Sequence, residues 1–306
     1  MSGAVIIVLL MLSAGVWMLL EPRDSRRFQV FVLAWAMALY SLVCGAVLNF
    51  ENAMLPLKYD GSLYRIDVAL GLCPFPLAHA LGHGWIGILI SCLYTALLPM
   101  MLLSCAVGLH RRWKGPSVLW AYLVELVIGP CLYALVPAIG PTCAFFSPAK
   151  PPLSVPEITP LSGIPNAMPS LHVSTALLLL LFAQGRFWKA LSFTFLLCTG
   201  LATLVVREHY TIDLIVAVPF AFFVASAVHR RSLPAAAYLA LMLAWLLSIR
   251  AETPILLTHP VTLRVAALLT IASGLRFRLR PLERIAISAR TDPGPGVRSV
   301  TPAQIS

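Results

Sequence analysis

Residues 207–228, REHYTIDLIVAVPFAFFVASAV, join a charged head to a tail that carries no charged side chain from Leu214 to Val228. An apolar run of this kind reads as a helix buried in hydrocarbon, and its head as the end of that span. Ionisable side chains are costly there, so Arg207, His209 and Asp213 are candidates for function and not decoration. The same pattern occurs once more, 33 residues upstream. NAMPSLHVS, ending at Ser174, sets His172 at the head of an earlier apolar run, 171–184.

Composition agrees with that reading. Hydrophobic residues make up 59% of the 306 and charged residues only 11%, a balance unlike that of a soluble globular domain. The fold class expected is all-α, a polytopic transmembrane helix bundle. A helix needs ~20 apolar residues to cross ~30 Å of hydrocarbon. Runs meeting or approaching this lie near 3–20, 28–48, 84–108, 117–137, 171–184, 190–206, 212–228, 234–249 and 261–275, about nine spans. The fifth, eighth and ninth are short.

Loop charge orients the bundle, because Lys and Arg accumulate on the cytoplasmic side. One set of connections holds Arg23, Arg26, Arg27, Arg111, Arg112, Lys114, Arg186, Lys189, Arg230, Arg231 and the six Arg after residue 275. The other set holds only Lys58, Arg65, Lys150, Arg207 and Arg250. An outer N-terminus and a cytoplasmic C-terminus follow, with His172 and His209 facing outward. The first segment has no basic start and is followed by EPRDSRR, which reads as a retained span with its N-terminus outside. The net charge of +10 is scattered over cytoplasmic loops and the tail, which fits anionic headgroups as partner and gives no reason to expect nucleic acid. After Arg280 the chain is rich in Arg, Ser, Thr, Pro and Gly, the composition of a disordered cytoplasmic tail.

Two outward connections are long. In the first, 49–83, YDGSLYRIDVALG repeats Leu63, Ile66 and Leu70 at helical spacing, with Arg65 and Asp67 on other faces, which suggests a helix lying at the membrane interface. The second, 138–170, contains eight prolines and reads as a semi-rigid cap over the outer face. The seven Cys show no metal-ligand spacing. Cys44, Cys92, Cys105, Cys131 and Cys198 lie in apolar runs as core residues, and a disulfide between the outward Cys73 and Cys143 is chemically allowed.

Chemistry concentrates at the two span heads. His209 and Asp213 are four residues apart, one helical turn, which sets their Cβ atoms ~5 to 6 Å from each other. A carboxylate there can hold one imidazole nitrogen protonated and make the other more basic. His209 could then attack phosphorus and form a phosphohistidine. His172 is placed to protonate the leaving oxygen. Ser170, after Pro169, reads as an N-cap, so the helix head points free N–H groups at a bound anion. Arg207 adds positive charge for the phosphoryl oxygens. No acidic cluster suits magnesium or zinc, so neither a metal nor another cofactor is expected. The plainer reading of His209 and Asp213 is a satisfied polar pair.

Other polar residues are weighed the same way. His79 and His83 with Asp67 could hold a metal, but headgroup or loop contacts fit them better. Glu125, deep in the fourth span, is expected to pair with a polar neighbour in the bundle. Arg264 is expected to snorkel to the outer interface, and Trp17, Trp35, Trp113, Trp120 and Trp188 fit an aromatic belt.

The motifs NAMPSLHV and REHYTIDL resemble the second and third signatures of the type 2 phosphatidic acid phosphatase superfamily, in its inositol phosphorylceramide synthase and sphingomyelin synthase-like branch. PSLH at 169–172 is similar to the ceramide enzyme and HYTID at 209–213 to the sphingomyelin synthases. YDGSLYRIDVALG looks like that branch's amphipathic segment, and Tyr133, Pro137, Gly140 and Pro141 in YALVPAIGP resemble a further element. The resemblance covers roughly 55–228. It implies a six-span catalytic core, His209 as nucleophile oriented by Asp213, His172 as acid, and Ser170, Arg207 and Tyr133 at the substrate. Phosphatases of the superfamily carry K-x-x-x-x-x-x-R-P earlier in the chain and Ser-Arg where this chain has Ala202 and Thr203, so the usual phosphate-gripping Lys and Arg are missing.

The expected organisation is two N-terminal helices in 1–54, a membrane catalytic core in 55–228, C-terminal helices in 229–275 and a basic tail in 276–306. The expected activity is phosphotransfer or hydrolysis on a lipid phosphate ester at the outer face, without cofactor. Water as acceptor makes it a phosphatase; a hydroxyl acceptor, slightly favoured by the resemblance, makes it a headgroup transferase. A transporter or a catalytically silent lipid-binding protein is the alternative of another class, and the interfacial position of the His and Asp cluster weighs against it.

Overall fold

The structure is a computed structural model that describes residues 45–51, 53–55, 58–72, 74–113, 116–144, 168–252 and 259–275. The span expected at 3–20, most of 28–48, the middle of the proline-rich connection, Cys44, Cys73, Trp17, Trp35 and the basic tail lie outside these residues. Among the described residues all regular structure is helical. From Asp60 onward the helices are α1 (Asp60–Leu70), α2 (Pro74–Leu81), α3 (Gly84–Thr95), α4 (Leu97–His110), α5 (Val118–Tyr133), α6 (Pro141–Ala144), α7 (Leu171–Phe182), α8 (Arg186–Val205), α9 (Thr211–Val228), α10 (Ser232–Arg250) and α11 (Pro260–Leu275).

The quoted stretch becomes the hub of the bundle. α9 packs against α1, α5, α7, α10 and α11. It is apolar on every side, which is the pattern of a helix enclosed by others. Ala217, Ala221 and Ala225, four residues apart, are all 0% exposed. Their small side chains let neighbouring helices approach closely, as interfaces between membrane helices require.

By length and apolar composition α8, α9 and α10 can each cross a membrane, and α3 with α4 supplies a fourth if that pair is one span bent by 48°. The uninterrupted span expected at 84–108 is therefore broken at Ala96. Pro99 accounts for the break: it has no N–H for the Thr95 carbonyl, and its ring crowds that same oxygen. Three further apolar helices, α5, α7 and α11, match expected spans but contain 16, 12 and 16 residues. At 1.5 Å per residue, twelve residues reach only ~18 Å.

Chain direction places the connections. α7, α8 and α9 run alternately, and Phe182 meets His229 with ring centroids 5.0 Å apart, while Trp113 meets Trp188 at 6.3 Å. The turns bearing Arg111 and Arg112, Arg186 and Lys189, and Arg230 and Arg231 therefore gather at one end of the bundle. The heads of α7 and α9 form the other end, with α1 and residues 137–142 beside them.

The helix expected in YDGSLYRIDVALG is α1, but only Arg65 and Val68 of its eleven residues are exposed. It is wedged against the bundle and does not lie free on its surface. Asp67 explains the burial: its two oxygens accept the N–H groups of Thr211 (2.7 Å) and Ile212 (3.0 Å), the open first turn of α9. Asp60 accepts from Ile139 N–H (3.1 Å), Gly140 N–H (3.0 Å) and the Tyr210 hydroxyl (2.8 Å). Buried carboxylates persist where their lone pairs are satisfied, and a negative charge at a helix N-terminus is favoured by the dipole. Burial pushes the Asp60 carboxyl up to about 6 against the pull of these donors, and raises that of Asp67 as well.

At the far side of the bundle, Trp245 Nε1 donates to Thr270 Oγ1 at 2.9 Å and ties α10 to α11. Arg264, expected to reach outward, donates to the Ala69 carbonyl at the end of α1 (3.2 Å).

Candidate active site

The site is assembled from the heads of α7 and α9, which the chain brings together through backbone and side-chain caps. Ser170 is the N-cap of α7; its hydroxyl accepts from Val173 N–H at 3.4 Å, and its own N–H donates to the Asp213 carbonyl at 3.3 Å. That one residue links both span heads. At the third position of α9, Asp213 Oδ2 reaches back to the Tyr210 N–H at 2.8 Å.

His209 and Asp213 meet as their spacing predicts. Nδ1 of His209 lies 3.5 Å from Asp213 Oδ2, and the two side chains are 2% and 0% exposed. The contact is long for a hydrogen bond, and Asp213 Oδ1 is buried without a hydrogen-bond partner among the described residues. A small rotation of the carboxylate would bring a free oxygen onto the Nδ1–H. Catalytic hydrogen bonds are often loose before substrate binds.

His172 completes the group. Its ring centroid is 5.9 Å from that of His209, at 61°, and Tyr94 of α3 stacks on its other side at 4.1 Å and 18°. Tyr94 was not singled out in the sequence, where it is one aromatic residue in an apolar run. Only the fold brings it across 78 positions to His172. Glu208, next to His209, is partly buried; burial raises its carboxyl above the usual range while the His209 imidazole pulls it down.

Below the imidazoles, Glu125 of α5 has the polar partners expected of it. Both its oxygens accept hydroxyl donors from the second turn of α7, from Ser174 and from Thr175, the latter at 2.7 Å. Gly129, one turn on, faces Leu171 so closely that a Cβ would come within 2.7 Å of that side chain. These two contacts fix the head of α7, and with it His172, against α5.

Residues 137–142 brace the other wall. Thr142 N–H and Oγ1 both donate to the Arg207 carbonyl, at 2.9 and 2.8 Å. Gly140 has φ +83, and a Cβ there would lie 2.3 Å from the Glu208 carbonyl oxygen. Such a φ and such an approach both call for glycine. Gly140→Ala is expected to push the 206–208 turn away from the imidazole pair and to lower turnover about 10²-fold, the size of effect an ångström-scale misplacement produces. Steady-state kinetics alongside a melting curve in detergent checks this: an unchanged rate means that the brace does not hold the site.

Tyr133 is buried, 2% exposed, at the last residue of α5, where the chain enters that turn. Arg207 lines a cavity with His79 and His83. Asp67 is committed to α9, so it joins no metal set with the two histidines, and no cluster of three or more metal-ligating side chains occurs among the described residues. Ala202 and Thr203, at the positions of the missing Ser and Arg, are 0% exposed in α8. Thr203 bonds the Gly200 carbonyl, and Ala202 packs with Ile90 and Val205 in an apolar cluster, so neither position is open to phosphate.

A family model described as the PAP2 superfamily matches residues 61–228, from the first turn of α1 to the last residue of α9. The chain belongs to that superfamily, which comprises phosphatases and phosphotransferases. No curated protein and no solved structure matches the chain significantly.

Proposed function

We propose that this protein is an integral membrane phosphotransferase of lipid phosphate esters that works through a phosphohistidine at His209. The observation that carries the reading is the convergence of the buried His209 and Asp213 with the half-buried His172 at the heads of two neighbouring helices. Nδ1–H of His209 faces Asp213, which leaves the Nε2 lone pair to attack phosphorus. As the P–N bond forms, the P–O bond to the lipid alkoxide breaks, and that oxygen takes a proton from His172. In the second half the acceptor hydroxyl gives its proton to His172 and attacks phosphorus. The P–N bond then breaks and its electron pair returns to His209. Ser170 and Tyr133 act in this scheme by shaping the site, and Arg207 by supplying charge beside it.

About nine spans are proposed, two before the 55–228 catalytic core, five within it and two after; the six-span core that the resemblance implies takes in one flanking span. The basic loops and tail face the cytoplasm, the N-terminus is outside, and the imidazoles face outward. Burial favours a hydroxyl acceptor over water: His209 is 2% exposed and His172 is covered by Tyr94. Excluding water is how such a site protects its intermediate from hydrolysis. The reading sits with the inositol phosphorylceramide and sphingomyelin synthase-like branch, and lipid phosphate hydrolysis is the alternative. A labelled lipid-phosphate panel in bilayers, with candidate lipid and polyol hydroxyls, tests it. New phospholipid in excess of free phosphate is expected; free phosphate alone would make the protein a phosphatase.

A further inference from the structure

A cavity of about 260 Å³, of which the reaction scheme above uses only the charge of Arg207, is lined by residues close along the chain to those of the imidazole pair. It is lined by His79 and His83, by Gly87 and Ser91 of α3, and by Arg207. Among the described residues no carboxylate lines it; Arg207 brings a guanidinium that is always charged and His79 and His83 bring imidazole N–H groups, while the Ser91 hydroxyl gives its hydrogen to the Gly87 carbonyl at 2.8 Å. It also adjoins the site on two sides. Ser91 is one helical turn before Tyr94, the residue stacked on His172. Arg207 is two residues before His209, and the Thr142 clamp on its carbonyl fixes the turn from which it projects.

The geometry points to this cavity as a subsite for a second phosphate, one carried by the headgroup and distinct from the phosphoryl group that His209 receives. The inference rests on the proposed function for its role. Guanidinium and imidazole donors around a polar recess are suited to phosphate oxygens. His79 and His83 are exposed, so a headgroup can enter from the surface. The subsite also answers a need: the usual gripping positions are filled by Ala202 and Thr203, both buried. Binding energy from such a remote group can be used to orient the reacting phosphorus.

Equilibrium dialysis of labelled inorganic phosphate against the full-length chain in maltoside micelles tests the subsite. It is done in the His209→Ala variant, so that capture by the nucleophile does not contribute. That variant is expected to bind phosphate, and adding His79→Gln with His83→Gln, or Arg207→Gly, is expected to weaken binding at least about 10-fold, or ~1.4 kcal/mol. Glycine is chosen at 207 because φ is +59 there, so the substitution relieves backbone strain and should not lower the melting temperature. Phosphatidate added to the micelles, but not phosphatidylcholine, should compete if a lipid headgroup is the source; competition by neither marks a free or soluble phosphate. Absence of any phosphate or phosphatidate binding in His209→Ala, or binding unchanged by the three substitutions, overturns the proposal. If instead His209→Ala keeps full turnover while these substitutions abolish binding, the phosphohistidine scheme fails and the subsite stands.

Discussion

His209→Ala is expected to lower turnover of a lipid phosphate ester by on the order of 10⁴-fold or more, because removing a nucleophile removes the whole covalent route. Its neighbours cannot take over. Asp213 accepts the Tyr210 N–H and is fully buried, and His172 lies with Tyr94 stacked on one face and His209 beside it. The imidazole is itself 2% exposed, so Ala leaves a small void at the head of α9. His209→Gln fills more of that space and should be equally inactive. Melting curves close to wild type for both variants, with turnover lost in both, separate chemistry from folding; turnover retained in either would remove His209 from the mechanism.

The second large effect is expected at His172, and it should depend on the leaving group. General acid catalysis is worth ~10²- to 10⁴-fold when the departing alkoxide is basic. His172→Ala should therefore cost that much on an alkyl lipid phosphate and far less on a nitrophenyl phosphate ester, whose oxygen departs without a proton. Equal losses on both substrates would mean that His172 only shapes the site. The contacts of Glu125 with Ser174 and Thr175 make the distinction worthwhile, since they hold the head of α7 without the His172 ring.

The parts of this arrangement legible in sequence are those set by local periodicity. The four-residue spacing of His209 and Asp213, the Ser170 cap and the helix in YDGSLYRIDVALG all follow from one helical turn or one cap. The parts that were not legible depend on partners far along the chain. Asp67 falls off the apolar stripe of α1 and so reads as solvated, yet it bonds α9 from 144 residues away. Asp60 is 150 residues from Tyr210, and no local pattern links them. Arg207 is in an αL turn after α8, and nothing local in the sequence places it in one cavity with His79 and His83. The break at Ala96 was hidden for a different reason: hydropathy sums across Pro99 without registering its missing N–H.

These sites converge on one chemical statement, that phosphorus becomes bonded to nitrogen at His209. The most direct test is to mix the wild-type chain with a phosphorus-labelled lipid phosphate, quench in base, and locate the label by peptide mapping. A phosphoramidate is stable to base and labile to acid, unlike a phosphoserine or a phosphothreonine. The account predicts an acid-labile label on the peptide carrying His209, absent in His209→Ala and discharged when the hydroxyl acceptor is added to the wild type. Full turnover with no labelled protein at any quench time, or a label that survives in His209→Ala, would contradict it.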